Sequence, residues 1–413
     1  MARDRRRWLR ALVGVLGVVV AAVAIWWLAR PVSATTTSEV TQISQPRLDP
    51  DTIASGVAAR CTVDGVVSDS CLRAQLDSTL RNTGQVTAFA VLGQLSKSGL
   101  IEGRDHALAH HLGRVSYGLT GTPAQALAAC PPTMGSGCLH GVVEAYFEAK
   151  GPDASILGLC SFSGPGASHA THQCWHGVGH GVYMARGDDW AGAVARCATI
   201  TEYMDRINCS SGVFMQNLMN ASVGGNAGAM AGMAHEAGME GMQHTAAATE
   251  HLRPNDLLYP CNAVQGEEAT IGCWQQHAFA VLKLTKGQFG KAFWACSQAG
   301  AYAIMCEEGV GQAAGAQSRR DHQPPLSYCD LSASPTAKRN CLVGVIKDVV
   351  MTAHAVGPGL DLCRTVDPDA RSDCYGAVGD MNRGFESRPS VRLANCASVP
   401  EPYRSVCAAR PES

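Results

Sequence analysis

The chain has 413 residues, a net charge of −2, 46% apolar and 16% charged residues, 44 glycines and 18 cysteines. The apolar fraction excludes a largely disordered polymer, and the near-balanced charge gives no electrostatic reason to expect a nucleic-acid partner. Eighteen cysteines, an even number, exclude an ordinary reduced cytosolic protein and point to an oxidising compartment.

Along the chain, Arg3, Arg5, Arg6, Arg7 and Arg10 precede an uncharged run from Ala11 to Ala29, closed by Arg30. As a helix this run is about 28 Å long, close to the hydrocarbon thickness of a bilayer. The arginines before it predict a cytoplasmic N-terminus with the rest of the chain outside. Residues 1–30 therefore read as a basic stub and a single-pass anchor in the cell membrane. Val32-Ser33-Ala34 also fits a signal-peptidase site, and cleavage near Ala34 would make the chain secreted. Residues 31–52 read as a polar linker, and 53–413 as the folded domain.

The cysteines reveal a repeat. They fall into nine neighbouring pairs: Cys61-Cys71, Cys130-Cys138, Cys160-Cys174, Cys197-Cys209, Cys261-Cys273, Cys296-Cys306, Cys329-Cys341, Cys363-Cys374 and Cys396-Cys407. Their second members, with gaps filled near 104 and 240, recur every 33–36 residues, a length typical of helix-pair repeats. An apolar-periodic stretch leads to the first cysteine, a loop rich in Pro, Gly, Ser and Asp follows, and the second cysteine is expected to open another helix. Glycine recurs three residues after the second cysteine, at Gly141, Gly177, Gly212, Gly309 and Gly344. In a helix it costs about 1 kcal/mol against alanine, so its recurrence predicts close helix contact. The expected fold is all-α: an α-solenoid of about ten helical hairpins, each stapled across its own loop. In architecture this resembles the secreted, disulfide-stapled helical-repeat proteins.

Repeats carry their own control, because what the scaffold needs should recur. Two and six residues after the second cysteine, on one helical face, most repeats carry unrelated residues: Ser211/Met215, Gln275/Phe279, Glu308/Gln312, Val343/Lys347 and Gly376/Asp380. Three consecutive repeats read His106/His110, His140/Glu144 and His176/His180. Imidazole and carboxylate at i and i+4 suit a transition metal ion such as copper, zinc or iron. His111, His169 and His172 lie nearby in sequence and are candidates for supporting groups or additional ligands. Gln275, Glu308 and Gln312 share the register farther along and would add polar groups if the array curves.

A second constellation falls in the repeat that lacks cysteines, residues 215–252. Met230, Met233 and His235 are followed nine residues later by Met239, Met242 and His244, with Met215, Met219 and His251 flanking. Thioether with imidazole selects copper, and the duplicated M-x2-M-x-H resembles the Met/His-rich segments of extracytoplasmic copper-resistance proteins. The competing reading is that these adaptable methionines pack a Gly- and Ala-rich unit.

No C-x-x-C-H, H-E-x-x-H, Walker A or G-x-S-x-G sequence is present. The functional expectation is an extracytoplasmic metal-binding helical-repeat protein, with copper a leading candidate. Two alternatives stand beside it: a metal-dependent oxidoreductase or hydrolase using the same His/Glu cluster, with Glu144 or His111 as base or as a group supporting the ligands, and a solenoid that binds a protein or peptide without metal.

Overall fold

The computed structural model describes residues 49–101, 104–131, 134–162, 167–187, 189–223, 251–353, 355–386 and 388–408. The apolar run at 11–29 and the constellation Met230, Met233, His235, Met239, Met242 and His244 lie outside the described residues. Among those described, no helix is long and apolar enough to cross a membrane. The described residues from 49 to 408 belong to one compact unit, and among them the fold is all-α, 73% helical, with 17 helices and nine disulfides. The only sheet among the described residues is a two-stranded hairpin, β1 (Thr62–Val63) with β2 (Val66–Val67).

Three helices open the fold: α1 (Pro50–Cys61), α2 (Asp69–Thr83) and α3 (Gln85–Lys97). Then long helices alternate with short ones. The long ones are α4 (Asp105–Thr120), α6 (Gly137–Lys150), α7 (Ala167–Ala185), α9 (Tyr203–Val223), α10 (Glu267–Leu284), α12 (Ala303–Arg320), α13 (Pro335–Ala353) and α15 (Arg371–Phe385). The short ones are α5 (Pro123–Ala128), α8 (Trp190–Cys197), α11 (Phe289–Cys296), α14 (Gly357–Thr365), α16 (Pro389–Asn395) and α17 (Tyr403–Ala408). Local chemistry sets their ends. Ser68 and Asp189 accept from backbone N–H groups at the starts of α2 and α8, and proline sits in the first turn of α1, α5, α14 and α16. Gly121 ends α4 at a left-handed φ of 69°.

Each long helix packs on the next, in the order α4, α6, α7, α9, α10, α12, α13, α15. Helix α15 also touches α7, so the row bends back. The apolar interior divides into four main clusters that follow one another along the chain, and every cluster contains cysteine sulfurs.

All nine neighbouring cysteine pairs are bonded, with Cα–Cα distances from 5.3 to 5.9 Å, inside the normal range. No free cysteine remains. Each bond closes a loop of 8 to 14 residues, which on the chain-entropy model contributes about 3 kcal/mol.

The helix boundaries differ from expectation in two ways. Helices α7, α9, α10 and α13 start six or seven residues upstream of Cys174, Cys209, Cys273 and Cys341 rather than at them. Cys160, Cys261 and Cys329 lie in turns or a 3-10 segment rather than at the end of a helix. The physical reason is shared: a disulfide fixes only a Cα separation, whereas helix ends are set by capping and loop chemistry.

Candidate metal centre

Glycines, among them the recurrent Gly141 and Gly212, bring the long helices backbone to backbone. A Cβ at Gly113 would lie 2.3 Å from Cys138 O, one at Gly141 2.0 Å from His110 O, and one at Gly212 1.9 Å from His176 O. Only glycine allows such an approach. Side chains two and six residues after each second cysteine are thereby forced into one narrow seam. In the α6–α7 and α7–α9 seams the residue at the first position faces the residue at the second position of the following helix, whereas in the α4–α6 seam Glu144 pairs with His110 rather than His106. His140 stacks on His180 with ring centroids 5.5 Å apart, and His176 Nε2 lies 3.3 Å from Met215 Sδ.

The structure brings all five histidines and Glu144 together. His140 sits in the middle, its ring centroid 5.6 Å from His106, 5.1 Å from His110 and 5.2 Å from His176. His106 and His110, one turn apart on α4, place their Nε2 atoms 3.1 Å from each other, and His140 Nδ1 lies 3.3 Å from His110 Nε2. One ring nitrogen from each of these three residues falls within 4.8 Å of the other two.

The opposite ring nitrogens are held by acceptors. His106 Nδ1–H donates to Met134 O at 2.7 Å, His110 Nδ1–H to Glu144 Oε1 at 3.0 Å and His180 Nδ1–H to Gln216 Oε1 at 2.7 Å. The Gln216 amide is itself oriented by donating to Asn220 Oδ1 at 2.9 Å. These bonds fix the tautomers, so in the neutral rings the Nε2 atoms of His106 and His110 face one another as two acceptors. Such a pair repels unless a cation, either a proton or a metal ion, lies between them.

Burial favours the neutral form at two of the imidazoles. Burial, reinforced by the neighbouring imidazoles, holds His140 and His176 well below the usual histidine range. Burial alone would raise Glu144, but the charge and hydrogen bond of His110, with His180 and Arg114, outweigh it and bring its carboxyl down to about 2. Glu144 also faces Arg114 Nη1 at 3.5 Å. It is thus an ionised acceptor that orients His110. His140 is 2% exposed, and its Nε2 has no hydrogen-bond partner. An orphaned buried polar atom costs about 1–3 kcal/mol, so this ring is placed for something other than stability.

Other candidates go elsewhere. His111 turns to Asp77 on α2, with Nε2 2.6 Å from Oδ1, away from the cluster. His169 and His172 belong to the first two turns of α7, where His172 faces Asp205 at 3.4 Å. Glu308, on α12, pairs with Lys347 on α13, and Gln275 and Gln312 lie on α10 and α12. His251 bonds to Tyr183 and Asn217, and Met219 is buried. Cys261 and Cys273 converge with His277, but both sulfurs are bonded to each other and cannot serve as thiolate ligands.

Three contributors were not singled out from sequence for these roles: Met134 O, Gln216 and, as a partner of His176, Met215. A cross-repeat rule pairing the first register position with the second position of the next repeat would have found Met215. Searches of family models, curated proteins and solved structures give no match to this chain, so the reading of the site rests on its own geometry.

Proposed function

We propose that this chain binds a transition metal ion through His106, His110 and His140, with Glu144 orienting His110. The observation that carries the reading is the spacing of the three ring nitrogens. Metal–nitrogen bonds of about 2.0–2.1 Å in a tetrahedral site put neighbouring nitrogens about 3.3–3.4 Å apart. The separations of 3.1 and 3.3 Å nearly match that edge before any ion is added. A carboxylate behind a ligating histidine, as Glu144 is behind His110, is the usual supporting arrangement at such sites. Imidazole donors suit zinc, copper or iron.

The larger context of the proposal is an extracytoplasmic α-solenoid tethered by the apolar run at 11–29. The nine disulfides suit an oxidising compartment, and the sequential packing of the long helices suits a repeat array. A metalloenzyme is the second reading, favoured by one feature: three imidazoles leave a fourth position of a tetrahedral ion open to water or substrate. Glu144 is a poor base for it, being committed to His110 and Arg114.

The test is elemental analysis of the full chain, purified under oxidising conditions without a metal-affinity tag. Stoichiometric metal is expected in the parent and absent from a variant carrying His106→Gln, His110→Gln and His140→Gln, with helix content retained by circular dichroism. A parent that neither contains nor takes up zinc, copper or iron would overturn the reading. Loss of the helices in the variant would assign these histidines to the scaffold.

A further inference from the structure

We propose a second, softer metal position on the other side of His140, between α7 and α9, built by the Met215 thioether and the His176 imidazole and selective for copper(I). It rests on the metal-binding reading above only in sharing His140. His176 Nε2 and Met215 Sδ are 3.3 Å apart across the seam. Bonds of about 2.0 Å to nitrogen and 2.3 Å to sulfur convert that separation into an angle of about 100° at a shared ion. A two-coordinate linear ion would instead need about 4.3 Å between the two atoms. The geometry therefore calls for at least one further donor, and the structure offers one. His140 Nε2 is buried with no hydrogen-bond partner, on the ring whose Nδ1 faces His110, and the His140 and His176 ring centroids are 5.2 Å apart.

The ligand chemistry selects the ion. A thioether is neutral and polarisable and favours copper(I) over zinc or iron, whereas the three-nitrogen group of His106, His110 and His140 has no sulfur and discriminates less. Electrostatics point the same way. Among the described residues the partners of His176 are Met215, His140, His180 and Asn208, none of them a carboxylate, and a monovalent ion is less costly than a divalent one beside a seam of neutral groups. The acid of the histidine cluster, Glu144, is engaged by His110 and Arg114. The cluster is then two adjacent positions of different softness sharing one central ring: when both are filled His140 releases its remaining N–H proton to solvent and bridges them as an imidazolate.

The experiment uses the full chain with Met230, Met233, Met239 and Met242 changed to leucine, so that the remaining sulfur signal is not theirs. The chain is loaded with one equivalent of zinc and then titrated with copper(I) against a chromogenic chelator, and the copper environment is read by X-ray absorption. Expected is copper(I) uptake with a sulfur neighbour at about 2.3 Å. Adding Met215→Leu should leave the zinc in place, weaken copper(I) binding at least about tenfold, and abolish the sulfur neighbour. His176→Asn should weaken copper(I) similarly and serves if the leucine variant is misfolded. Copper(I) affinity and sulfur scattering unchanged in Met215→Leu would overturn the second position while leaving the first intact. Failure to take up zinc, iron or a second copper ion, with one copper(I) still dependent on Met215, would overturn the three-nitrogen site instead and support this one.

Discussion

The seam between α7 and α9 and the seam between α12 and α13 share one backbone contact and differ in what fills it. A Cβ at Gly212 would lie 1.9 Å from His176 O, and one at Gly344 would lie 1.9 Å from Glu308 O. At equivalent positions the first seam holds His176 against Met215, and the second an ion pair between Glu308 and Lys347. The scaffold accepts either pair, so it does not require histidine. The second pair neutralises itself. The first belongs to a group of five imidazoles and one carboxylate in which burial holds His140 and His176 toward neutral, ligand-competent rings.

The glycine contact should break in both seams alike. Gly212→Ala and Gly344→Ala each push a methyl group onto a carbonyl oxygen, an overpacking expected to cost about 3 kcal/mol. Denaturant midpoints would show this, with unchanged slope. Only Gly212→Ala should also weaken metal binding; equal weakening by Gly344→Ala would erase the distinction between the seams.

A histidine outside both seams sharpens the contrast. His277 is 2% exposed and donates from Nε2 to Leu257 O at 2.7 Å, and burial lowers it from 6.5 to about 4. Between pH 6.5 and pH 4 the unfolded chain binds a proton at this site that the folded chain does not. The stability it contributes is fully present above pH 6.5 and is lost as pH falls toward 4. At about 1.36 kcal/mol per unit the loss is about 3 kcal/mol. His277→Gln should remove that portion of the acid dependence in pH-resolved unfolding curves while leaving metal content unchanged. Loss of metal in this variant would mean that buried histidines of either kind affect the site through the fold.

The smallest expected effect concerns the orienting carboxylate. Glu144→Gln keeps an acceptor for His110 but removes the charge, and should lower metal affinity about 10- to 100-fold with little change in helix content. The matching Glu308→Gln in the other seam should leave metal affinity unchanged. Competition with a metal-sensitive dye would separate the two.

Much of this was legible in the sequence. The nine cysteine pairs are local, each closing a loop of 8 to 14 residues, so spacing alone predicted them. The glycine three residues beyond the second cysteine predicted helix contact, and Gly141, Gly212 and Gly344 make it. The register of His106/His110, His140/Glu144 and His176/His180 placed these residues on one face, where they meet. Less legible was the division of labour. Glu144 was a candidate ligand or base and is the acceptor for His110; His111 was a candidate helper and belongs to Asp77. In the sequence Met215 flanks the Met/His-rich constellation at an ordinary register position, and in the fold it faces His176.

What the sequence determined by itself is everything that depends on neighbours along the chain: helical character, the disulfides, the spacing of the seam glycines, and histidines four apart on a turn. What only the tertiary structure decided is which nitrogens face each other, which acceptor fixes each ring, and where a thioether joins an imidazole. Those are contacts between residues about 30 to 40 apart. They depend on the rotation and sliding of one helix against the next, which no periodicity within a single helix encodes.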